Sequence, residues 1–355
     1  MEPQIRFDLN EIQNIDETVQ TQVEKFQSIR DLVKNLKFVP IDPIGTYSSV
    51  TYKSIDGGKM GIYFDPFELD YIVIADSFGN ELMKFLVPKG KELETADFIF
   101  MDKFSIIQKF LYLLGLKSVS QSSGILKSSK IAMEIAEIAS IFERLTRHKN
   151  EPLIIMKDGL LRTIALKQEH IETLISILKD NKKRKLVGVA KGSRVLNLIS
   201  SALFIEKKIP YNKTGFIEIP WKIEKLAYKW TGQFIHYAFG KLYIAKLSNR
   251  SNLLVTLEIP YDFRNDVEIY SRNEIHEIIG HLVKDSHGSY PILGYPQTIM
   301  RAHEKAVRTG FTASIWREKI IDRILNEIGE KQLKQLITEA NFVREYVKKG
   351  VLGGF

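Results

Sequence analysis

"EPLIIMKDGLL" (residues 151–161) decides how this chain is read. Leu153 to Met156 is an unbroken apolar run, the pattern of a strand buried on both faces, as at the centre of a parallel sheet. Lys157 and an Asp158-Gly159 step end it. An Asp-Gly step read alone is a turn. At the C-terminal end of a central strand, where ligands gather in such sheets, it also presents a carboxylate. The glycine lets a backbone or substrate approach closely. "YKSIDGGKMGIYF" (52–64) repeats the device, with Asp56 and Gly57 inside strand-like sequence.

Working outward, the runs 47–58, 59–77 and 80–88 are strand-like, and their separators Gly57-Gly58 and Gly79-Asn80 predict hairpin turns and an antiparallel meander. Residues 102–116 and 127–149 carry helical spacing, with Ser128 or Ser129 capping the second. A strand at 153–156, a helix near 168–180 and a strand at 185–191 make a βαβ unit, which pairs in parallel. Residues 9–37 read as one or two amphipathic helices. Residues 205–232 read as irregular and rich in lysine and aromatics. "KLYIAKL" and "NLLVTLEIP" form a further strand pair, and the sequence from 272 onward is mostly helical.

A meander, a long helix and then βαβ strands is the element order of the ribonuclease H-like architecture. The fold class expected is therefore α/β, a ribonuclease H-like mixed sheet flanked by helices. It carries an N-terminal helical extension (1–44), an inserted lysine- and aromatic-rich segment (about 205–232) within a main domain (45–320), and a C-terminal helical tail (321–355) ending in a flexible tip. In that architecture Asp56 and Asp158 come from neighbouring strands and converge. Paired carboxylates are held together by a hard divalent cation, which in turn supports phosphodiester cleavage. A third carboxylate is expected from the helix, whose apolar face runs through Ile131, Ile135, Ile138, Phe142 and Leu145. Glu134, Glu137 and Glu143 are the candidates, Glu134 and Glu137 sharing one side.

The 355 residues contain no cysteine, which excludes disulfides, thiol nucleophiles and sulfur-bound zinc. Abundant Ile, Lys and Glu without Cys is a composition found in thermophiles. No apolar run reaches the roughly 18–20 residues that span a bilayer. The polar, acidic N-terminus is not a signal peptide, which places the protein in the cytoplasm. Fifty-one basic against 43 acidic residues, a net charge of +8, suits a polyanionic partner.

"GYPQTIMRAHEKAVRTG" (294–310) resembles the C-terminal signature of the NurA nuclease family, a Gly-Tyr-Pro turn opening a helix with an Ala-His-Glu step. "SIDGG" (54–58), "LIIMKDGLL" (153–161), "LVGVAKGSR" (186–194) and "LYIAKL" (242–247) are similar to the family's other blocks, in the same order over roughly residues 45–315. Gly58 and Leu160 stand where the family usually has serine. The resemblance implies a manganese- or magnesium-dependent nuclease, with two ions, acting as a homodimer with a HerA-type hexameric translocase in DNA end resection. It implies Asp56, Glu137 and Asp158 as metal ligands, with Glu134 as the alternative to Glu137. It implies His303 as a ligand or proton-transfer group and Lys191 as a catalytic phosphate contact. Arg162, Lys191, Arg194, Tyr243 and Tyr295 are the expected DNA contacts. The activities implied are single-strand endonuclease and 5′ to 3′ exonuclease. Rival readings are a junction or RNA–DNA hybrid nuclease of the same fold, and a non-catalytic DNA-binding adaptor.

Aromatics at Tyr211, Trp221, Tyr228, Trp230 and Tyr237 alternate with lysines, which suits base stacking or a satellite core. His276 and His281, five apart, make a poor metal pair on a helix.

Overall fold

A computed structural model describes residues 9–43, 49–64, 67–88, 99–102, 105–119, 121, 129–147, 151–181, 183–228, 238–308 and 310–329. In chain order α1 (Leu9–Val33) leads to β1 (Val39–Pro40), then β2 (Thr51–Phe64), β3 (Phe67–Asp76), β4 (Glu81–Pro88) and β5 (Ile99–Asp102). Helices α2 (Ser105–Leu113) and α3 (Ser129–Thr146) precede β6 (Leu153–Asp158), α4 (Gln168–Lys179), β7 (Arg184–Ala190) and α5 (Arg194–Ile205). Then come β8 (Gly215–Glu218), α6 (Trp221–Tyr228), β9 (Gly240–Lys246), β10 (Val255–Asp262) and β11 (Val267–Glu268). Helices α7 (Arg272–Ser286), α8 (Gln297–Val307) and α9 (Gly310–Ile328) close the described chain. None of the described helices is long and apolar enough to cross a membrane.

The described strands join one mixed sheet in the order β1-β8-β9-β10-β7-β6-β2-β3-β4-β5, with β11 paired to β10. β6 lies between β2 and β7, parallel to both, and the other pairings are antiparallel. The unbroken apolar run of β6 follows from this position. Leu153 and Ile155 pack on α3 and α4, whereas Ile154 and Met156 pack on α7 and α8. The five apolar residues expected on the α3 face are all buried. A third cluster packs α1 and α5 beneath β8 and β9 through Val33, Val195, Ile199, Leu203, Ile217 and Ile244.

Two local expectations give way. Gly57-Gly58 is not a turn, because β2 runs straight through it to Phe64. The glycines admit helices on the two faces. A Cβ at Gly57 would lie 2.5 Å from Glu137 Oε1 of α3, and one at Gly58 would lie 2.1 Å from the Ala306 carbonyl oxygen of α8. Gly79, by contrast, does sit in the β3–β4 turn, at φ +85°. Residues 205–232 are not irregular throughout: β8 pairs with β9 in the sheet, and α6 follows it. Short strands and an eight-residue helix leave too little periodicity to be seen in sequence. Residues 330–355, and with them most of the expected tail, lie outside the described residues.

Candidate metal centre

The parallel register pairs Ile55 with Lys157, so Asp56 and Asp158 come next on their strands and point to the same face. That face is the one α8 covers. The absence of a side chain at Gly58 lets the helix settle on β2 at Ala306, and one turn earlier it lowers His303 onto the carboxylates. His303 Nδ1 lies 2.8 Å from Asp56 Oδ2 and 3.7 Å from Asp158 Oδ2. One ligand atom from each of Asp56, Asp158 and His303 falls within 4.8 Å of the other two.

The electrostatics of this trio are unbalanced. Burial pushes the Asp56 carboxyl up from its ordinary range, and the charge of Asp158 pushes it further. The hydrogen bond from His303 offsets part of this. The only ammonium within 4 Å of the Asp158 carboxylate among the described residues is Lys191, with Nζ 3.9 Å from Oδ2. Two carboxylate oxygens and one imidazole nitrogen, short of positive charge, are a donor set for a divalent ion of the Mn²⁺ type: oxygen-preferring, yet tolerant of nitrogen.

Asp158 is oriented from behind. The fully buried Tyr295 donates its hydroxyl to Oδ1 at 2.7 Å, and the same hydroxyl lies 3.1 Å from the Val189 carbonyl. Burial first, and the Asp158 charge second, raise the phenol far above its usual range, so it remains a donor. Lys191 Nζ stands 4.6 Å from the Tyr295 ring centre. Gly159 turns the chain away at φ +95°, and its N–H bonds the Val189 carbonyl at 2.8 Å.

Glu137 reaches the sheet from the other face. Its Oε1 covers Gly57, and Oε2 forms a 3.2 Å ion pair with Lys157. Burial raises its carboxyl to about 7, with Lys157 pulling down and the Asp56 charge pushing up. It stands beside Asp56 but outside the three-residue cluster. Glu134 accepts from Thr163 Oγ1, and Glu143 pairs with Arg147 at 2.5 Å. Of the three helix carboxylates, Glu137 is the one that feels Asp56.

Three expected DNA contacts have their side chains engaged within the protein. The largely buried Arg162 side chain donates to Glu258, Glu224 and the Gly240 carbonyl, so its guanidinium is engaged within the protein. Tyr243 is 2% exposed and stacks edge-on against Phe216 at 5.6 Å, because β9 is covered here by α7. Tyr295 serves Asp158. Lys191 and Arg194 are exposed, Lys191 beside Asp158 and the Arg194 guanidinium 5.8 Å from the Tyr228 ring. Trp221 packs 5.6 Å from Phe263, and Trp230 and Tyr237 lie outside the described residues. His281 is buried and hydrogen-bonds Tyr52 at 2.7 Å, a packing role. Sequence reasoning missed Lys157 and Glu258. The signal for both was a charge inside an otherwise apolar strand, which a buried partner must answer.

A model of the NurA domain matches residues 102–308, which takes in Asp158, Lys191 and His303 and begins after Asp56. No curated protein matches the chain. Among solved structures the chain is similar to the NurA nuclease from Sulfolobus solfataricus, at 12% identity and a TM-score of 0.44, over 90% of this chain and 98% of that one. A NurA bound to dAMP and manganese aligns at 10% identity and a TM-score of 0.43, over 86% of this chain and 96% of that one. A NurA with manganese aligns at 9% identity and 0.41, over 89% and 98%.

Proposed function

The chain belongs to the NurA family, and on that premise we propose that it is a divalent-metal-dependent deoxyribonuclease. The observation that carries this is the convergence of Asp56, Asp158 and His303, short of positive charge, where α8 meets the ends of the parallel strands. Asp56 and Asp158 hold the ion, with His303 as third ligand or as the group moving a proton at the scissile phosphate. When bound, Mn²⁺ or Mg²⁺ supplies Lewis acidity and lowers the pKa of a water, and a second ion is part of the proposal. Tyr295 fixes the rotamer of Asp158, and Lys191 holds a phosphate oxygen as a point charge. Glu137 completes the carboxylate set on leaving Lys157.

The finer reading is a cytoplasmic homodimer with single-strand endonuclease and 5′ to 3′ exonuclease activity. It works in end resection with a HerA-type translocase, its main domain at 45–320 between helical extensions at 1–44 and 321–355. Family membership and the basic charge balance support it.

End-labelled linear single- and double-stranded DNA with Mn²⁺ tests the reading. Wild type degrades it, and Asp56→Ala loses at least about a thousandfold in rate. Equal degradation by both proteins, or by neither across Mn²⁺, Mg²⁺ and Ca²⁺, defeats the proposal. Faster cleavage of hybrids or four-way junctions redirects it to those substrates. Light scattering that gives a monomer at micromolar concentration removes the dimer.

A further inference from the structure

We infer that Arg162 is a positioning residue for Asp158, the strut that sets the height and direction of the catalytic carboxylate, and not a contact for DNA. This rests on the nuclease reading above. Five residues, Asp158 to Arg162, carry the chain from the site into a buried ionic cluster, and each step is fixed. Gly159 turns with positive φ and bonds Val189. The loop then crosses β7 at Gly188, where any Cβ would stand 2.8 Å from the Leu161 nitrogen and 2.9 Å from the Gly159 oxygen. Leu161 is buried in the α3-side core.

Arg162 ends the crossing by anchoring to β10. Its backbone N–H donates to Glu258 Oε2 at 2.9 Å, and its Nε donates to Oε1 at 3.1 Å, so one carboxylate holds both main chain and side chain. The same Oε1 accepts the N–H groups of Phe239 and Gly240, at 3.2 and 3.0 Å, at the start of β9. Arg162 Nη1 reaches Glu224 on α6 at 2.5 Å, and Nη2 reaches the Gly240 carbonyl at 3.2 Å. The Tyr228 ring lies 5.2 Å from the guanidinium carbon. The next residue, Thr163, bonds Glu134 of α3, one turn from Glu137. The segment after Asp158 is therefore tied to β10 and α6 on one side and to α3 on the other.

Only a planar guanidinium spans these partners at once. A lysine keeps the charge and one or two bonds but not the fork. Groups standing behind metal-binding carboxylates set ligand direction, and losing one costs about 10- to 100-fold in metal affinity or activity. A DNA contact behaves otherwise: its loss weakens binding and makes the salt dependence shallower by about one unit of log–log slope.

The experiment compares Arg162→Lys, Arg162→Met and Glu258→Gln with wild type in three measurements: Mn²⁺ titration by calorimetry, kcat and KM on single-stranded DNA at saturating Mn²⁺, and salt dependence of DNA binding. We expect Arg162→Lys to lower kcat and Mn²⁺ affinity by about tenfold each, with KM and salt slope unchanged. Arg162→Met should fall further. Glu258→Gln, which keeps volume and an acceptor, reaches the same loop from the other side should Arg162→Met fail to fold. Raised KM and a shallower salt slope at constant kcat would make Arg162 a DNA contact and overturn the inference. A lowered melting temperature with Mn²⁺ affinity and kcat intact would reduce it to scaffold. A wild type that cleaves nothing defeats the nuclease reading, and the Mn²⁺ titration still judges the strut.

Discussion

Two buried charge clusters lie a few residues apart along the same strand exit, and they are built on opposite terms. Around Arg162, Glu258 is fully buried yet accepts four N–H donors, and the same guanidinium also bonds Glu224. Burial pulls the Arg162 pKa down, and Glu258 and Glu224 more than restore it. Around Asp56 and Asp158 two carboxylates share one imidazole, with the Lys191 ammonium 3.9 Å from Asp158, and burial together with mutual repulsion raises Asp56. Full compensation makes a fixed part of the scaffold. Incomplete compensation leaves a place for an incoming cation, at a cost in stability while the cation is missing.

Stranding one partner breaks the balanced cluster most severely. Glu258→Ala leaves a buried guanidinium and three backbone N–H groups without this acceptor, and we expect a loss of about 3–5 kcal/mol in urea unfolding. A loss below about 1 kcal/mol would mean that water enters the cluster and that the two regions do not differ as argued.

Next in size are the glycines on which the metal centre's geometry depends. Gly58→Ala drives a methyl into the Ala306 carbonyl, a backbone atom that moves only with α8. We expect about 2–3 kcal/mol of destabilisation and a displaced His303, seen as weakened Mn²⁺ binding. Gly57→Ala meets the side chains of Glu137 and Met133, which give way more easily, and should cost about 1 kcal/mol. Equal losses would show that α8 is no more rigidly seated than these two α3 side chains.

These glycines mark the limit of what the sequence makes legible. The central strand, the βαβ unit and the convergence of Asp56 with Asp158 follow from one apolar run and two carboxylates, because a strand buried on both faces has few places to be. Gly57-Gly58 looks like a turn for a sound local reason, and only the approach of α3 and α8 overrides it. Arg162 and Tyr243 looked like surface groups because their partners are far off in sequence, Glu224 and Glu258 being 62 and 96 residues from Arg162 and Phe216 27 from Tyr243. Among the three helix glutamates, helical spacing alone cannot rank candidates. Proximity to Asp56 and Lys157 does so.

A pH series on the metal-free protein separates the clusters more finely. Glu137 has its carboxyl raised from 4.5 to about 7 by burial. A raised folded pKa favours the neutral form, so this stabilisation is complete below pH 4.5 and is lost as pH rises through about 7. Metal-free stability should fall on the order of 2 kcal/mol across that window, and Glu137→Gln should flatten it. Glu224 titrates with the same sign, its carboxyl raised to about 7 by burial against the pull of Arg162. The slope remaining in Glu137→Gln therefore comes from Glu224 together with the raised carboxyls of Asp56 and Asp285. A profile unchanged by Glu137→Gln would place the whole effect on those groups.

The smallest effect is the sharpest in sign. Asp158→Asn keeps an acceptor for Tyr295 and removes the like charge facing Asp56. Without metal the variant should be more stable than wild type by about 1 kcal/mol, since two carboxylates no longer repel in a half-buried site. With millimolar Mn²⁺ the order reverses, because wild type gains binding energy that the variant has lost. The matching change in the other cluster, Glu258→Gln, lowers stability under both conditions, as charge removed there is charge already paired. Thermal melts of the two variants with and without Mn²⁺ thus give opposite signs in the metal-free arm. Equal signs would mean that Asp158, like Glu258, is compensated within the protein, and the metal centre would lose its electrostatic basis.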